Sequence, residues 1–259
     1  MNFTNKVVLI SGAGSGLGEA IALHFANLSA KLSLIDINKD YLSTVADKCQ
    51  QVAKTKVFNV VTDVANDDDL KKAINSTVEE FGRIDVLVNC AGIWKKNKMT
   101  DLNLLDDFDN IIKVNLRAVV AAIHFATPAL IESKGCIINI SSVMSKLVGG
   151  SIGYNVSKAA VTHLTKNVAA ELAQYEIRVN SISPGPVETN ILVHNGMSRD
   201  ESEKSYMNLK SSLILKSSVT GEDIAGVAAF LASEQAKSIT GSDIVVDSGN
   251  LIHNLDQRR

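Results

Sequence analysis

The sequence predicts an α/β domain built on one doubly wound parallel sheet of about seven strands, with helices on both faces. Short runs rich in Val and Ile alternate with longer segments of helical periodicity along all 259 residues. Such alternation is typical of parallel strands linked by right-handed helical crossovers. Several runs are nearly continuous in apolar residues, as expected for strands that are buried on both faces.

Seven short segments have the length and the β-branched composition of strands. The predicted strands are Lys6–Ser11, Lys31–Asp36, Lys56–Asp63, Ile84–Gly92, Gly135–Ser142, Ile177–Gly185 and Asp243–Gly249. Longer segments with helical periodicity separate them. The predicted helices are Leu17–Leu28, Lys39–Ala53, Asp67–Phe81, Leu105–Glu132, Ile152–Gln174 and Glu222–Ala232.

The stretch Pro186–Val219 shows neither pattern. An irregular segment of this length in a compact domain is usually a lid or a disordered segment. The chain has only three prolines and no low-complexity tract, so little of it resembles an interdomain linker. We therefore predict one domain over residues 1–259, with a substrate lid at about 190–219.

The composition argues against several classes of function. A net charge of −2 gives no reason to expect binding to nucleic acid or to an anionic membrane surface. The three cysteines (Cys49, Cys90 and Cys136) are widely spaced, which argues against a disulfide framework or a zinc site and suits a reducing compartment. We expect no signal peptide and no membrane span, because no apolar stretch reaches about 20 residues. These observations favour a cytoplasmic protein without a metal site.

A glycine-rich turn links the first predicted strand to the first predicted helix. Its sequence, SGAGSGLGEA, places glycines where a backbone can turn tightly and approach phosphate oxygens. The helix that follows offers free N–H groups and the positive end of its dipole to a pyrophosphate. A turn without a ligand is the alternative, but the strand–turn–helix context favours a Rossmann-type dinucleotide site. The predicted cofactor contacts in this turn are Gly12, Ser15, Gly16, Leu17 and Gly18.

Asp36 ends the second predicted strand and follows Gly18 by 18 residues. A carboxylate at this place accepts hydrogen bonds from the adenosine ribose hydroxyls and repels a 2′-phosphate. No cation follows it directly, since the next residues are Ile37 and Asn38. The sequence therefore favours NAD(H) over NADP(H). The alternative role for Asp36 is a cap for the next helix.

Tyr154 and Lys158 lie four residues apart in a predicted helix, so their side chains share one face. A free tyrosine has a pKa near 10 and is a poor base at neutral pH. We expect the neighbouring ammonium to favour the phenolate and to lower the pKa of Tyr154. A tyrosine tuned in this way takes a proton from an alcohol or gives one to a ketone. The alternative is a Tyr and a Lys that extend from a helix edge without a function.

Five further motifs follow the glycine turn in order. They are NCAG (Asn89–Gly92), Asn115, SS (Ser141–Ser142), YNVSK (Tyr154–Lys158) and SPGPVET (Ser183–Thr189). Together with the spacing of the three glycines, this set resembles the short-chain dehydrogenase/reductase family over nearly the whole chain. The resemblance implies an oxidoreductase that uses a nicotinamide cofactor.

The resemblance assigns catalytic roles to four residues. Tyr154 would exchange the proton, and Lys158 would also hydrogen-bond the nicotinamide ribose. Ser142 would stabilise charge on the substrate oxygen; Ser141 is the adjacent candidate, but the two point to opposite faces of a strand and the resemblance favours Ser142. Asn115 would kink its helix and hold a water in the proton path to Lys158. The alternative for Asn115 is a core amide with satisfied hydrogen bonds.

The resemblance also implies cofactor contacts beyond the glycine turn and Asp36. Asp63 would meet the adenine amino group, Asn89 would brace the sheet near the adenosine ribose, and Val187 and Thr189 would hold the nicotinamide carboxamide. The additional predicted contacts are Ile37, Asp63, Val64, Asn89, Ala91, Gly92, Pro184, Gly185, Val187 and Thr189.

Three residues depart from the family pattern. Ser11 stands where threonine is usual, Cys90 where a second asparagine is usual, and Ser248 where glycine is usual. None of these departures removes a catalytic group, and we expect a buried thiol at Cys90 to be unreactive.

Three segments are expected to wall the substrate pocket: Ile93–Asp101, Val143–Gly153 and Asn190–Val219. Their apolar residues suit a mid-sized ketone or secondary alcohol, such as a steroid or another lipid-like carbonyl compound. The predicted substrate contacts are Trp94, Val143, Met144, Met197 and Tyr206. The basic sequence WKKNK (Trp94–Lys98) could attract an acidic carrier, a phosphopantetheine thioester or a carboxylated substrate, although a solvated loop is the simpler interpretation.

The leading hypothesis is an NAD(H)-dependent dehydrogenase/reductase that acts on a small-molecule secondary alcohol or ketone. The resemblance alone implies a homodimer or a homotetramer. One alternative is an NADPH-dependent 3-oxoacyl-carrier reductase, against which Asp36 argues. A second is a nucleotide-binding protein without turnover, against which the intact catalytic set argues.

Overall fold

The structure, a computed structural model, describes residues 1–53, 55–187, 189, 191–194, 196–211 and 213–256. Seven parallel strands form one sheet in the order β3-β2-β1-β4-β5-β6-β7. The strands are β1 Val7–Ser11, β2 Lys31–Asp36, β3 Val57–Val61, β4 Val86–Asn89, β5 Cys136–Ile140, β6 Arg178–Pro184 and β7 Asp243–Val246. The predicted fold class and strand number are confirmed.

The observed strands are shorter than several of the predicted ones, mainly at their carboxyl ends. The fourth predicted strand continued to Gly92, whereas β4 ends at Asn89, and the fifth continued to Ser142, whereas β5 ends at Ile140. The physical reason is that the extra residues leave the sheet to form the loops at its carboxyl edge. In doubly wound sheets this edge is where ligands bind.

Helices cover both faces of the sheet. The helices are α1 Gly16–Asn27, α2 Lys39–Val52, α3 Asp67–Phe81, α4 Leu104–Ile112, α5 Ala118–Ser133, α6 Ile152–Leu172, α7 Ile191–His194, α8 Arg199–Ser211, α9 Gly221–Ala232 and α10 Asn250–Asp256. One core cluster joins the sheet to α1, α2 and α9, and a second joins it to α3, α5 and α6. The chain order reverses between β1 and β4, which places a ligand crevice above these two strands.

The predicted lid contains more regular structure than its sequence suggests. Instead of an irregular segment, the structure has α7 and a three-turn helix, α8. The helical period was hidden because α8 is dominated by polar residues, with few apolar positions to mark a buried face. The short α10 was also not predicted.

Residues Leu104 to Ser133 form one continuous helical segment, in which α4 and α5 are joined by a π-helical turn at Lys113–Arg117. By length and composition alone this segment could cross a membrane, so the expectation that no stretch is long enough was wrong. Its apolar side chains Val119, Ile123 and Leu130 are buried in the core cluster with α3 and α6. This packing is that of a core helix.

Candidate active site

A cavity of about 1010 Å³ opens at the carboxyl edge of the sheet. It runs from the loops after β1 and β2, past the ends of β4 and β5, to the lid helices α7 and α8. Nearly all the predicted site residues line this one cavity; Asn89 and Asn115 lie behind its wall. Among the described residues, no three His, Cys, Asp or Glu side chains are grouped so that they could hold a metal ion.

The glycine turn is held by close backbone packing. Gly12 has a φ of +67° and Gly16 a φ of +58°, a backbone region that disfavours other residues. A Cβ on Gly12 would lie 2.7 Å from the Cα of Ala91, and a Cβ on Gly18 would overlap the carbonyl oxygen of Gly12. These contacts explain why the turn requires glycine at Gly12 and Gly18 even before a ligand is considered.

The N-terminus of α1 lacks the side-chain cap that several other helices have. Ser15 occupies the N-cap position but its side chain makes no capping hydrogen bond. Asn38, Asn66 and Thr220 do cap α2, α3 and α9 with their side chains. The first residues of α1, Gly16 to Gly18, line the cavity, and the first amides of a helix have no partner within it. This arrangement fits the pyrophosphate of a dinucleotide.

Asp36 lies at the end of β2 with its carboxylate held in place. Its Oδ2 accepts a hydrogen bond from the backbone N–H of Gly14 at 2.9 Å, and its Oδ1 accepts one from Asn38 at 2.9 Å. Asn38, not Asp36, is the N-cap of α2. Each carboxylate oxygen keeps a second lone pair for a ribose hydroxyl. Gly14 was not singled out from the sequence, yet a Cβ there would lie 2.9 Å from the Cγ of Asp36.

The end of the cavity next to β2 and β3 is lined by Ile37, Asp63 and Val64. Ile37 is exposed, and the Oδ1 of Asp63 accepts a hydrogen bond from the N–H of Ala65 at 2.9 Å. Thr62 lines the cavity beside them and was missed, although it stands directly before Asp63 in the chain.

Hydroxyl and amide groups tie the central strands together under the cofactor crevice. The Ser11 hydroxyl accepts hydrogen bonds from the N–H groups of Cys90 and Ala91, so serine retains the link between β1 and the loop after β4. The Asn89 side chain donates to Asn139 on β5 at 2.8 Å. Asn89 therefore braces the sheet from below instead of lining the cavity.

Cys90 lines the cavity, which the sequence did not predict. Burial of the thiol raises its pKa to about 12, and the nearby Lys158 offsets only part of this shift. The thiol is therefore protonated at neutral pH, as an unreactive group would be.

Asn115 lies in the π-helical turn and is fully buried. Its amide donates to the carbonyl of Ile93 at 2.9 Å and to the Ser157 hydroxyl at 3.2 Å, and it accepts from the N–H of Ile93 at 2.8 Å. The side chain is thus the hydrogen-bonded core amide that was considered as an alternative. It also lies near Lys158, because a Cβ on Gly92 would be 3.5 Å from the Asn115 Oδ1 and 3.6 Å from the Lys158 Nζ.

Tyr154 and Lys158 lie in the first two turns of α6, which begins with the N-cap Ser151. The Lys158 Nζ donates to the carbonyl of Ile140 at 2.7 Å and lies 5.7 Å from the centroid of the Tyr154 ring. The Ser142 hydroxyl lies close enough to the Tyr154 hydroxyl to act on its pKa in the lowering direction. A phenol, a hydroxyl and an ammonium therefore meet at the cavity wall.

Burial shifts the pKa values of the two titratable groups in opposite directions. It raises the pKa of Tyr154 to about 12, and the nearby Ser142 hydroxyl offsets only part of this shift. It lowers the pKa of Lys158 to about 8. The predicted lowering of the Tyr154 pKa is therefore wrong for the protein alone, because desolvation of the phenolate outweighs attraction by an ammonium bonded elsewhere.

The two serines after β5 point in different directions. The Ser141 hydroxyl is bonded to the carbonyl of Lys158 at 3.0 Å and to the Thr162 hydroxyl at 2.8 Å, both on α6. The Ser142 hydroxyl faces Tyr154 and also accepts a hydrogen bond from the N–H of Met144. Of the two candidates, Ser142 is the one placed to meet a substrate oxygen.

Comparison with known proteins agrees with this geometry. The family profile described as enoyl-(acyl carrier protein) reductase matches residues 12–250. Meso-2,3-butanediol dehydrogenase of Serratia marcescens is 36% identical over 252 residues and covers 96% of both chains. The 3-oxoacyl-(acyl-carrier-protein) reductase of Thermotoga maritima is 36% identical over 255 residues, or 97% of this chain and 100% of that one. The crystal structure of levodione reductase aligns with a TM-score of 0.91 at 32% identity, over 97% of this chain and 99% of that chain.

This chain belongs to the short-chain dehydrogenase/reductase family. The resemblance noted from the motifs is thereby confirmed, as is the class of reaction: the protein is an oxidoreductase whose fold binds a nicotinamide cofactor. The glycine turn, the uncapped start of α1 and Asp36 together fit the dinucleotide of this family.

The segment after β6 forms the far wall of the cofactor crevice in this short-chain dehydrogenase/reductase. Pro184, Gly185, Val187 and Thr189 all line the cavity. The Tyr206 hydroxyl lies 3.4 Å from both the N and the O of Thr189, so α8 reaches back to this segment. Residues 188 and 190 lie outside the described part of the chain.

The five predicted substrate contacts, Trp94, Val143, Met144, Met197 and Tyr206, line the same cavity beyond Tyr154. Leu147, Val148 and Ile191 add to this apolar wall. Asn250 and Asn254 of α10 also line it, and they were missed because no motif marks this helix.

Proposed function

We propose that the chain is an NAD(H)-dependent oxidoreductase that interconverts a secondary alcohol and a ketone. One observation carries this proposal. The Ser142 and Tyr154 hydroxyls and the Lys158 ammonium meet on the wall of the cavity that is also lined by the glycine turn and Asp36.

When bound, the nicotinamide supplies or accepts the hydride. Tyr154, with a pKa raised to about 12, is protonated at neutral pH and gives its proton to the oxygen of a ketone. Ser142 donates a hydrogen bond to the same oxygen while negative charge develops on it. Lys158, with a pKa near 8, is mostly charged at pH 7 and stabilises the phenolate that remains. In the reverse direction, Tyr154 takes the proton of the alcohol.

Asp36 supports the preference for NAD(H). Its carboxylate is fixed by the N–H groups of Gly14 and Asn38 and faces the cavity, so it cannot easily turn away from a 2′-phosphate. The only cations that line the described part of the cavity are Lys96 and Lys158, and neither lies on the loop after β2. We therefore assign the ribose hydroxyls to Asp36.

The apolar lining around Trp94, Met144 and Met197 supports a mid-sized apolar substrate, of steroid or lipid type. The similarity to a butanediol dehydrogenase and a levodione reductase supports a non-carrier alcohol or ketone. The similarity to a 3-oxoacyl-(acyl-carrier-protein) reductase makes a carrier-bound 3-oxoacyl thioester the second candidate. Catalysis by the same three groups applies to both.

We also propose a cytoplasmic homo-oligomer, a dimer or a tetramer. All three cysteines are free thiols, which suits a reducing compartment. Val120 on α5 and Val156 on α6 are exposed and would be covered by a second copy, whereas Ala118 and Ala122 are used within the core. Light scattering of the purified protein measures the oligomeric state.

The decisive experiment is a pair of fluorescence titrations with NADH and NADPH, followed by a panel of ketones and alcohols. We expect NADH to bind at least about tenfold more tightly, which corresponds to about 1.4 kcal/mol. Asp36→Ala should narrow this ratio, since it removes both the ribose contact and the repulsion of the phosphate. Asp40→Ala is the control, because it removes an equal charge from an exposed position on the adjacent α2.

Tighter binding of NADPH would overturn the assignment of Asp36 and favour the 3-oxoacyl reductase. If Asp36→Ala and Asp40→Ala change the ratio of NADH to NADPH affinity equally, the net negative charge of this region sets the preference, and not a direct contact of Asp36 with the ribose. Cofactor binding without turnover of any ketone or alcohol would revive the non-catalytic alternative.

A further inference from the structure

The basic loop after β4 does not act as one charged patch. The Nζ of Lys95 is paired with Asp107 on α4 at 2.6 Å, and the backbone N–H of Lys98 is bonded to Asp101 at 2.7 Å. Lys96 is different: it is among the residues that line the cavity. Among the residues that the structure describes, no carboxylate forms a salt bridge with Lys96.

The charges along the cavity wall are distributed unequally. The carboxylates that line its described part are Asp36 and Asp63, and both lie at the adenosine end. The lining cations are Lys158, which is buried and bonded to Ile140, and Lys96, which is exposed at the substrate end. The substrate end therefore has a positive charge that no described lining carboxylate balances.

The position of Lys96 is fixed by its neighbour. Asn97 is buried, and its Oδ1 accepts a hydrogen bond from the N–H of Ile152 at 2.9 Å. Ile152 is the first residue of α6, and Tyr154 is the third residue of the same helix. The loop is thus attached to the first turn of α6, and Lys96 is the residue next to this attachment.

The walls between Lys96 and Tyr154 are largely apolar. Trp94, Met144, Leu147 and Val148 line this part of the cavity. An apolar wall lowers the local dielectric, so a charge pair at its edge is stronger than the same pair in water. The combination suits a molecule with an apolar body and an anionic end.

We propose that Lys96 binds an anionic group of the substrate, so that this enzyme acts on a carbonyl compound or secondary alcohol whose apolar body ends in a carboxylate or a phosphate. The inference rests on the proposed function and narrows its substrate class. Lys96 is a specificity residue and takes no part in hydride or proton transfer. The carboxylate would come from a free oxo acid, and the phosphate from a phosphopantetheine thioester.

Two matched substrate pairs separate these sources. The first is a medium-chain methyl ketone with a terminal carboxylate, compared with its methyl ester. The second is a 3-oxoacyl thioester of phosphopantetheine, compared with the thioester of pantetheine, which lacks only the phosphate. We expect the anionic member of one pair to have a kcat/KM at least about threefold higher, within the range of partly exposed ion pairs.

The variant Lys96→Gln should abolish this preference by raising the KM for the anionic substrate. Lys96→Glu should reverse it by repulsion. Lys95→Gln is the matched control, because it removes the same charge from the adjacent residue, which is paired with Asp107 and does not line the cavity. Raising the salt concentration should weaken the preference of the unaltered protein and leave that of Lys96→Gln unchanged.

A binding measurement keeps this inference separate from the proposed function. Trp94 is the single tryptophan of the chain and lines the cavity, so its fluorescence reports ligands without turnover. We expect decanoate to quench it at lower concentration than decanol in the unaltered protein saturated with NAD⁺, and at equal concentration in Lys96→Gln.

The outcomes differ for the two ideas. Turnover of neutral ketones with no advantage for either anionic partner would overturn the role of Lys96 and leave the proposed function standing. The same holds if Lys95→Gln abolishes the preference as fully as Lys96→Gln. Preferential binding of decanoate that depends on Lys96, without turnover of any substrate, would overturn the proposed function and support the anionic site. If the protein neither turns over any substrate nor binds decanoate preferentially, both the proposed function and the role of Lys96 are overturned.

Discussion

The two halves of the cavity are built in different ways. The cofactor half consists largely of backbone, namely the glycine turn and the ends of β1, β2, β4 and β6, with Asp36 as its main charged group. The substrate half consists of side chains from separate segments: the loop after β4, the turn Val143–Ser145, the lid helices and α10. The cofactor half therefore sets the class of reaction, and the substrate half sets which molecule reacts.

The two halves also differ in how their polar side chains are held. In and below the cofactor half they are tied to the fold: Ser11 to the loop after β4, Asp36 to Gly14, and Asn89 to Asn139. In the substrate half, Lys96 has no salt-bridge partner among the described residues, and most of its neighbours are apolar. Changes to the cofactor half should therefore damage both fold and function, whereas changes to the substrate half should alter selectivity.

The largest effect is expected at Tyr154, where the two halves meet. Tyr154→Phe keeps the ring but removes the hydroxyl to which we assign proton exchange with the substrate. Turnover should fall by at least about 100-fold, the lower end of general acid–base catalysis, while NADH binding stays within about twofold. Steady-state NADH oxidation and fluorescence titration measure the two quantities.

Tyr175→Phe is the control for this prediction, since Tyr175 is exposed in the turn after α6. Its turnover should equal that of the unaltered protein. A Tyr154→Phe enzyme that retains most of its turnover would show that another group, such as Ser142, supplies the proton.

The cofactor half could largely be predicted from the sequence, because its geometry depends on residues that are close in the chain. Glycine spacing, a preceding strand and an acid at the end of the next strand are local signals, and Gly12, Gly18 and Asp36 all line the cavity. The contact between the N–H of Gly14 and the Asp36 carboxylate was overlooked, because it depends on how β2 packs against the turn. No sequence motif indicates this contact.

The substrate half was less predictable because its parts meet only in three dimensions. The contacts from α10 depend on where the chain returns after β7, and α8 lacks an apolar stripe that would reveal a helix. The pKa of Tyr154 was also beyond the sequence, since its sign depends on burial and on the bond between Lys158 and Ile140. The spacing of Tyr154 and Lys158 places their side chains on one face of the helix, but it does not show how far that face is shielded from solvent.

A second prediction tests the rigidity of the cofactor half. Gly18→Ala would place a methyl group against the carbonyl of Gly12, and the turn must distort to admit it. We expect a loss of about 1–3 kcal/mol in the free energy of unfolding, typical of overpacking, together with much weaker NADH binding. Denaturant unfolding and cofactor titration measure these effects.

Gly226→Ala is the matched substitution for this test. Gly226 lies inside α9, where an added Cβ meets nothing within 4 Å. It should stabilise the protein by up to about 1 kcal/mol, because alanine is the better helix former, and leave NADH binding unchanged. If Gly18→Ala unfolds and binds like Gly226→Ala, the turn is more adaptable than its contacts indicate.

The last prediction concerns the stability of the fold at Lys158. A lysine whose pKa is lowered from 10.5 to about 8 by burial is held charged at a cost to the folded state at pH 7. Lys158→Met removes that charge and keeps the length of the side chain, but loses the hydrogen bond to Ile140. The free energy of unfolding should therefore rise by about 1–3 kcal/mol at pH 7, while turnover is lost.

The sign of the pH dependence tests the cause of this gain. Between pH 8 and about 10, the folded protein loses the Lys158 proton while the unfolded chain still holds it, so the cost of the buried charge declines. The stability advantage of Lys158→Met should therefore shrink over this range, when both proteins are unfolded with denaturant at each pH. Other groups that titrate in this range are common to both proteins, so they cancel in the difference. An advantage that stays constant would mean that packing, not the buried charge, is responsible, and a variant that is less stable at pH 7 would show that the ammonium stabilises the fold as well as the reaction.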